Sequence, residues 1–267
     1  MRRRRRLPLP LALLLLAAAL AVATAPSSAT AQDGRTLQRS VLRPGIGPDD
    51  PRRPVDARAE PWSALGRVQH ELGGRCTGAL IGPRTVLTAA HCLFARTSRQ
   101  AVRPGSVHFL LGYHLGEWTA QARVSAFTVG QGFALDRDSP SGGPLGADWA
   151  LLTLDAPLGE GRALRLRRDA RPPPPGTELM LAGYQQDRPE ALLADTGCRV
   201  LGLRRGARNL PLIAHGCAGT RGASGAPLLA RGRDGTWEVV GVASAFAPSA
   251  AQGLAVPAGS LPAEALP

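Results

Sequence analysis

The chain has 267 residues and a formal net charge of +12, from 32 basic and 20 acidic side chains, and only 4% of it is aromatic. Every basic side chain is Arg, and the absence of Lys excludes Schiff-base enzymes, P-loop NTPases and Ser-Lys hydrolases, all of which need a lysine amine. The length permits one large or two small domains with a sizeable core, and the scarcity of aromatics argues against stacking platforms for single-stranded nucleic acid.

At the start of the chain, Arg2 to Arg6 form a basic stretch and Leu11 to Val22 an apolar one. Ala23-Thr24-Ala25 and Ala29-Thr30-Ala31 then offer small-residue cleavage sites. Residues 1–31 therefore read as a secretory signal peptide, with an uncleaved anchor as the alternative; the apolar run is short for a membrane span. These residues hold five Arg and no acid, so their removal lowers the formal charge from +12 to +7. The remaining Arg are scattered rather than striped. A secreted or periplasmic protein is expected, with no specific nucleic-acid partner and no stable membrane insertion after cleavage.

Export makes the four cysteines candidates for oxidation. Cys76 pairs naturally with Cys92, and Cys198 with Cys217. Neither pair has zinc-site C-x-x-C spacing, and although His215-x-Cys217 offers two metal-ligand types, a disulfide is the expected fate. Each local loop would contribute roughly 3 kcal/mol in the chain-entropy model.

Residues 32–60 are rich in Pro, Arg and Asp without an apolar period, and read as a propeptide or flexible arm. Short apolar runs separated by Gly and Pro follow. They predict strands at 65–70, 77–81, 86–89, 107–111, 123–129 and 150–154, then at 178–184, 198–203, 212–215, 227–230, 237–243 and 253–256. The expected fold is all-β. Residues 157–176, with four consecutive prolines at 172–175, read as a semi-rigid linker between two barrel halves of about 62–156 and 177–260, within a domain spanning 61–267.

Three segments carry chemistry. Thr88-Ala89-Ala90-His91-Cys92 ends a small, apolar strand in a His whose neighbour Cys92 can be tied back to Cys76, fixing a general base in place. Asp148-Trp149-Ala150-Leu151-Leu152 opens an otherwise uncharged strand with one acid, which a His ring N–H would satisfy; a turn-capping Asp is the plainer reading. Gly222-Ala223-Ser224-Gly225-Ala226-Pro227 surrounds a serine with glycines that permit a tight turn and aim backbone N–H groups at an oxyanion.

In that order, T-A-A-H-C, D-W-A-L-L and G-A-S-G-A-P resemble the chymotrypsin-like (trypsin-fold) serine peptidases over residues 62–260. The cysteine-poor second half is closest in texture to bacterial glutamyl-endopeptidase-like members. The resemblance implies two six-stranded antiparallel β-barrels with the active-site cleft between them. It also implies His91 as general base, Asp148 as its orienting carboxylate, Ser224 as nucleophile, and Gly222 and Ser224 N–H groups as the oxyanion hole. Neither metal nor organic cofactor is required. Ser141-Gly142-Gly143-Pro144 copies a common spelling of the nucleophile motif but precedes Asp148 by only seven residues, so it reads as a loop. A G-x-S-x-G elbow fails because position 226 is Ala and the order is His-Asp-Ser.

The sequence also departs from the family pattern. Ala223 stands where many members have the Asp that pairs with a freed N-terminus, and no I-V-G-G start is present. Ala218 replaces the acid of trypsin-like pockets, and Ala243 replaces the pocket His of glutamyl endopeptidases. With Ser244 and Phe246, these residues imply a shallow primary pocket for small or medium uncharged side chains. The expected protein is a monomeric endopeptidase acting on proteins or peptides. The rival is a catalytically silent binding protein on a protease scaffold, and a weaker third reading is a surface protein attracted to anionic envelopes.

Overall fold

The computed structural model describes residues 44–135, 144–169 and 171–263. The expected signal peptide, residues 32–43 of the expected arm, and Ser141-Gly142-Gly143 lie outside the described residues.

In chain order the strands are β1 (Arg53–Pro54), β2 (Leu65–His70), β3 (Arg75–Gly82), β4 (Thr85–Thr88), β5 (Val107–Leu111), β6 (Ala120–Val129) and β7 (Ala150–Leu154). They continue as β8 (Arg165–Leu166), β9 (Glu178–Gln185), β10 (Arg188–Arg205), β11 (Pro211–His215), β12 (Pro227–Arg231), β13 (Trp237–Phe246) and β14 (Gly253–Pro257). Short 3-10 turns connect them, and no longer helix occurs among the described residues.

Two barrels result. The first closes in the order β2-β3-β4-β7-β6-β5. In the second, β9 pairs with both β10 and β12, closing a six-stranded ring β9-β10-β11-β14-β13-β12 that carries β1 on β10 and β8 on β13. Leu65, Leu87, Phe109, Leu111, Leu152 and Leu154 fill the first core. Leu179, Leu181, Val200, Ile213, Leu228 and Val240 fill the second. Leu and β-branched residues thus supply the volume that so few aromatic rings cannot, and they suit a pleated, buried surface. Both expected disulfides form, Cys76–Cys92 linking β3 to the turn after β4 and Cys198–Cys217 linking β10 to the end of β11.

All twelve expected strands are present; β1 and β8 are additional. Within the segment expected to be a propeptide or flexible arm, Gly45 and residues 52–54 bond to the second barrel. Arg53 and Pro54 register with Ala194 and Leu193, Ile46 is buried, and Arg52 is only 4% exposed. Hydrogen bonding and ion pairing, rather than an apolar period, hold this segment, which is why its composition read as disordered. Within the linker, Arg165 and Leu166 add in parallel to Glu238 and Val239.

Candidate active site

Antiparallel pairing of β4 with β7 sets Thr88 against Ala150, so the end of one strand meets the start of the other. His91 lies three residues past Thr88 on the 3-10 turn Ala90–Leu93, and Asp148 lies two before Ala150, directly after the turn Leu145–Ala147. The His91 Nδ1 atom lies 2.7 Å from Asp148 Oδ2, and the His91 backbone N–H donates to Asp148 Oδ1 at 2.9 Å. The Ser244 hydroxyl also donates to Oδ2. Asp148 is 1% exposed, so these three donors replace the water that its charge has lost.

Burial of the His91 ring disfavours its protonated form. The Asp148 charge and hydrogen bond outweigh this burial and the repulsion from Arg96, leaving the pKa above its ordinary value. That balance suits a base that must hold an imidazolium transiently.

Ser224 sits on the loop joining β11 to β12, and its backbone carbonyl accepts from Thr77 N–H at 2.9 Å, which pins the loop to the first barrel. Two glycines are required here. Gly225 has φ +79°, and a Cβ would fall 2.1 Å from Thr88 Oγ1; Gly222 has φ +93°, and a Cβ would fall 2.2 Å from the Tyr184 carbonyl oxygen. The Gly222 carbonyl accepts from Thr77 Oγ1 at 2.8 Å, and the Arg221 carbonyl accepts from Gln186 N–H at 2.7 Å. In a trans peptide the carbonyl and the following N–H point in opposite directions, so the second bond turns the Gly222 N–H away from Gln186. Neither Gly222 N–H nor Ser224 N–H donates to another backbone group among the described residues.

His91, Ser224 and Gly222 line one cleft of about 500 Å³, together with the Cys76–Cys92 disulfide and Tyr184. His91 and Asp148 are directly bonded. Ser224 lines the same cleft, and no side-chain hydrogen bond joins it to His91.

The four expected pocket residues separate into two roles. Ala218 and Ala243 are fully buried, and Phe246 lays its ring over Gly219, where an added Cβ would be 2.4 Å from the ring. Ser244 instead turns its hydroxyl to Asp148. The buried Asp195 carboxylate nearby is occupied by Ala218 N–H at 2.8 Å and Gly197 N–H at 3.1 Å, so it is engaged with the backbone rather than presented to a ligand.

His215, which the sequence offered only as a metal ligand, reaches this region from β11. Its ring packs edge-on to Phe246 at 5.8 Å, and it occupies the space that a Cβ on Gly253 would need. Nδ1 accepts the Cys217 N–H at 3.3 Å, placing the proton of the neutral ring on Nε2, which is buried without a partner. Burial pushes its pKa down to about 4, so the ring is uncharged at neutral pH.

A folded-state pKa below the unfolded value of about 6.5 means that the unfolded chain binds the proton first on acidification. Stability is therefore lost as pH falls from about 6.5 to 4, by about 3 kcal/mol from this residue. Urea titrations across that window are expected to show the loss in the wild type and a clearly smaller one in His215→Asn, whose amide oxygen preserves the acceptor for Cys217.

Residues 51–260 match the Trypsin family model. Over 53 residues the chain is 42% identical to a glutamyl endopeptidase of Bacillus licheniformis, a stretch covering 20% of this chain and 16% of that protein's length. Among solved structures, a Glu endopeptidase in complex with MPD superposes with a TM-score of 0.64 at 21% identity, covering 80% of this chain and 93% of that one. Human heparin binding protein superposes with a TM-score of 0.59 at 22% identity, covering 78% and 91%.

Proposed function

The chain belongs to the trypsin family, and on that premise we propose that it is an exported serine endopeptidase. It hydrolyses peptide bonds through an acyl-enzyme at Ser224, with His91 as base and acid and Asp148 orienting it. The observation that carries this reading is the convergence of the bonded His91–Asp148 pair, Ser224 and two uncommitted N–H groups on one cleft. Ser224 Oγ attacks the carbonyl as His91 Nε2 takes its proton. The Gly222 and Ser224 N–H groups receive the oxyanion, and His91 then protonates the leaving amine. Two disulfides, together with the basic stretch and small-residue cleavage sites at the start of the chain, support export.

The primary pocket is read as uncharged. Ala218 and Ala243 supply no counter-charge, His215 is neutral, Asp195 is bonded to backbone, and Phe246 crosses from β13 onto Gly219. Small or medium uncharged side chains before the scissile bond fit this description. The Phe246→Gly variant is expected to raise kcat/KM for substrates with a large apolar residue there by about tenfold or more, with a smaller change for Ala. Cleavage profiling of a peptide library checks both statements; a dominant Glu, Arg or Lys preference in the wild type overturns the pocket assignment.

The second reading, a silent binding protein on this scaffold, is favoured by Phe246 lying over Gly219 and by the lack of a side-chain hydrogen bond from Ser224 to His91. Labelling with a fluorophosphonate decides between them. The peptidase reading expects modification of the wild type that is lost in Ser224→Ala, whereas a folded, unlabelled wild type establishes the binding protein.

A further inference from the structure

Building on the peptidase reading, we propose that Arg52 is a positioning residue for the oxyanion hole. Through the side chain of Gln185 it holds residues 220–222 in the arrangement that leaves the Gly222 and Ser224 N–H groups free. On this account the hole does not depend on a liberated N-terminal amine.

Arg52 is 4% exposed, and all five of its guanidinium N–H donors are used. Nε and Nη2 bind Asp50 at 2.9 Å each. Nη1 and Nη2 fork onto Asp187 at 3.1 and 2.7 Å, and Nη1 also reaches Gln185 Oε1 at 2.7 Å. A buried guanidinium with every donor satisfied by two carboxylates and an amide is geometrically rigid, because losing any partner strands a charge. β1 delivers it: Pro54 registers with Leu193, whose carbonyl also accepts the Gln185 amide at 3.4 Å.

Gln185 transmits the constraint. Its side chain is fully buried, and the same Oε1 that receives Arg52 accepts the Thr220 N–H at 2.9 Å. One residue on, Gln186 donates its backbone N–H to the Arg221 carbonyl and its side-chain amide to Thr220 Oγ1 at 3.0 Å. The hairpin end held by Arg52 through Asp187 and Gln185 therefore grips the 220–221 backbone at two points and the Thr220 hydroxyl at a third. Flipping the Arg221–Gly222 peptide, which would withdraw an oxyanion donor, requires breaking the bond from Gln186 to the Arg221 carbonyl.

At the position where many relatives carry an acid for a new N-terminus, this chain has Ala223, fully buried and without a polar group to receive an ammonium. The Arg52 cluster supplies fixed charges from within the chain instead, at residues 50, 52 and 187.

The absence of Lys makes the test clean, since the α-amine is then the protein's one primary amine. Acetylating it, with hydroxylamine treatment to reverse esters on hydroxyls, should leave kcat per titrated active site within about twofold. Arg52→Met and Gln185→Met should each lower kcat per titrated site, and the fluorophosphonate rate with it, by about 10- to 100-fold. That is less than the 10²–10³ that losing a whole oxyanion donor costs. KM and the acidic limb of the pH profile should stay unchanged, because the His91–Asp148 pair is untouched.

The double variant should fall no further than the worse single, as expected when one residue acts through the other. If Arg52→Met does not fold, Gln185→Met carries the test. Abolished activity on acetylation overturns the proposal. So do variants that lose only thermal stability while kcat per titrated site holds. A folded wild type that reacts with no fluorophosphonate overturns the peptidase reading itself.

Discussion

Replacing Ser224 with Ala is expected to lower kcat by about 10⁶, leaving only the residual acceleration that binding and oxyanion donors provide. The substitution removes Oγ, the atom on which the proposed acyl-enzyme would form. The neighbouring hydroxyls of Ser244, Thr77 and Thr88 are committed to Asp148, the Gly222 carbonyl and the Thr77 carbonyl. Folding should be unaffected, because the loop is held by its backbone: Thr77 N–H on the Ser224 carbonyl, Gly225 N–H on the Ala243 carbonyl, and the turn from Ala223 N–H to Thr220. Single-turnover kinetics on a peptide ester, with circular dichroism as the folding control, measure both parts. Retention of more than a hundredth of wild-type kcat would place the nucleophile elsewhere.

The Asp148→Asn variant is expected to cost about 10⁴ in kcat while preserving the shape of the site. An amide facing His91 Nδ1 presents either an acceptor or a donor. In its donor orientation it forces the ring proton onto Nε2, the atom that must accept from Ser224. The pH profile provides an independent reading. Burial and Arg96 both act against protonation of His91, and only the Asp148 carboxylate raises its pKa above about 6.5.

In the wild type, kcat/KM is therefore expected to climb through a pKa above 6.5 as neutral imidazole forms. Without the carboxylate, the remaining influences move that limb to lower pH. The same shift has a stability consequence of defined sign. A His pKa raised by folding contributes stability that is fully present below about 6.5 and is lost as pH rises through the folded value. Asp148→Asn should flatten that dependence in urea titrations run from pH 6 to 9.

Strand positions were legible because the signal was local. β2, β5 and β7 match the apolar runs at Leu65–His70, Val107–Leu111 and Ala150–Leu154 residue for residue, each bounded by Gly, Pro or polar turns. β10 was not. The sequence showed only its second half, because Pro189 and two register irregularities interrupt the pattern of a strand that runs from Arg188 to Arg205. β1 and β8 are two residues each, too short for any period, and form only because a neighbouring strand offers free backbone groups. The proposed triad stood out for a different reason: His91, Asp148 and Ser224 lie in short strings rich in small residues, which directed attention to them. Ser244 and His215 stood in ordinary strand texture, with nothing local to mark their partners.

From the sequence alone came the all-β class, the division into two halves and the disulfide pairs, while its resemblance to a family supplied the proposed base, orienting acid and nucleophile. The absence of Lys had already narrowed the chemistry toward a serine–histidine mechanism. These properties depend on periodicity, spacing and residue type, which are written along the chain. The structure decided what depends on positions distant in sequence: Ser244 serving Asp148, Phe246 crossing onto Gly219, His215 made neutral by burial, and the Pro- and Arg-rich segment before the barrels docking rather than trailing. Arg52 is the clearest case. Amid so many arginines it reads as one more solvated charge, and it becomes a buried clamp only because Asp50, Gln185 and Asp187, the latter two about 130 residues away, converge on its five donors in the folded protein.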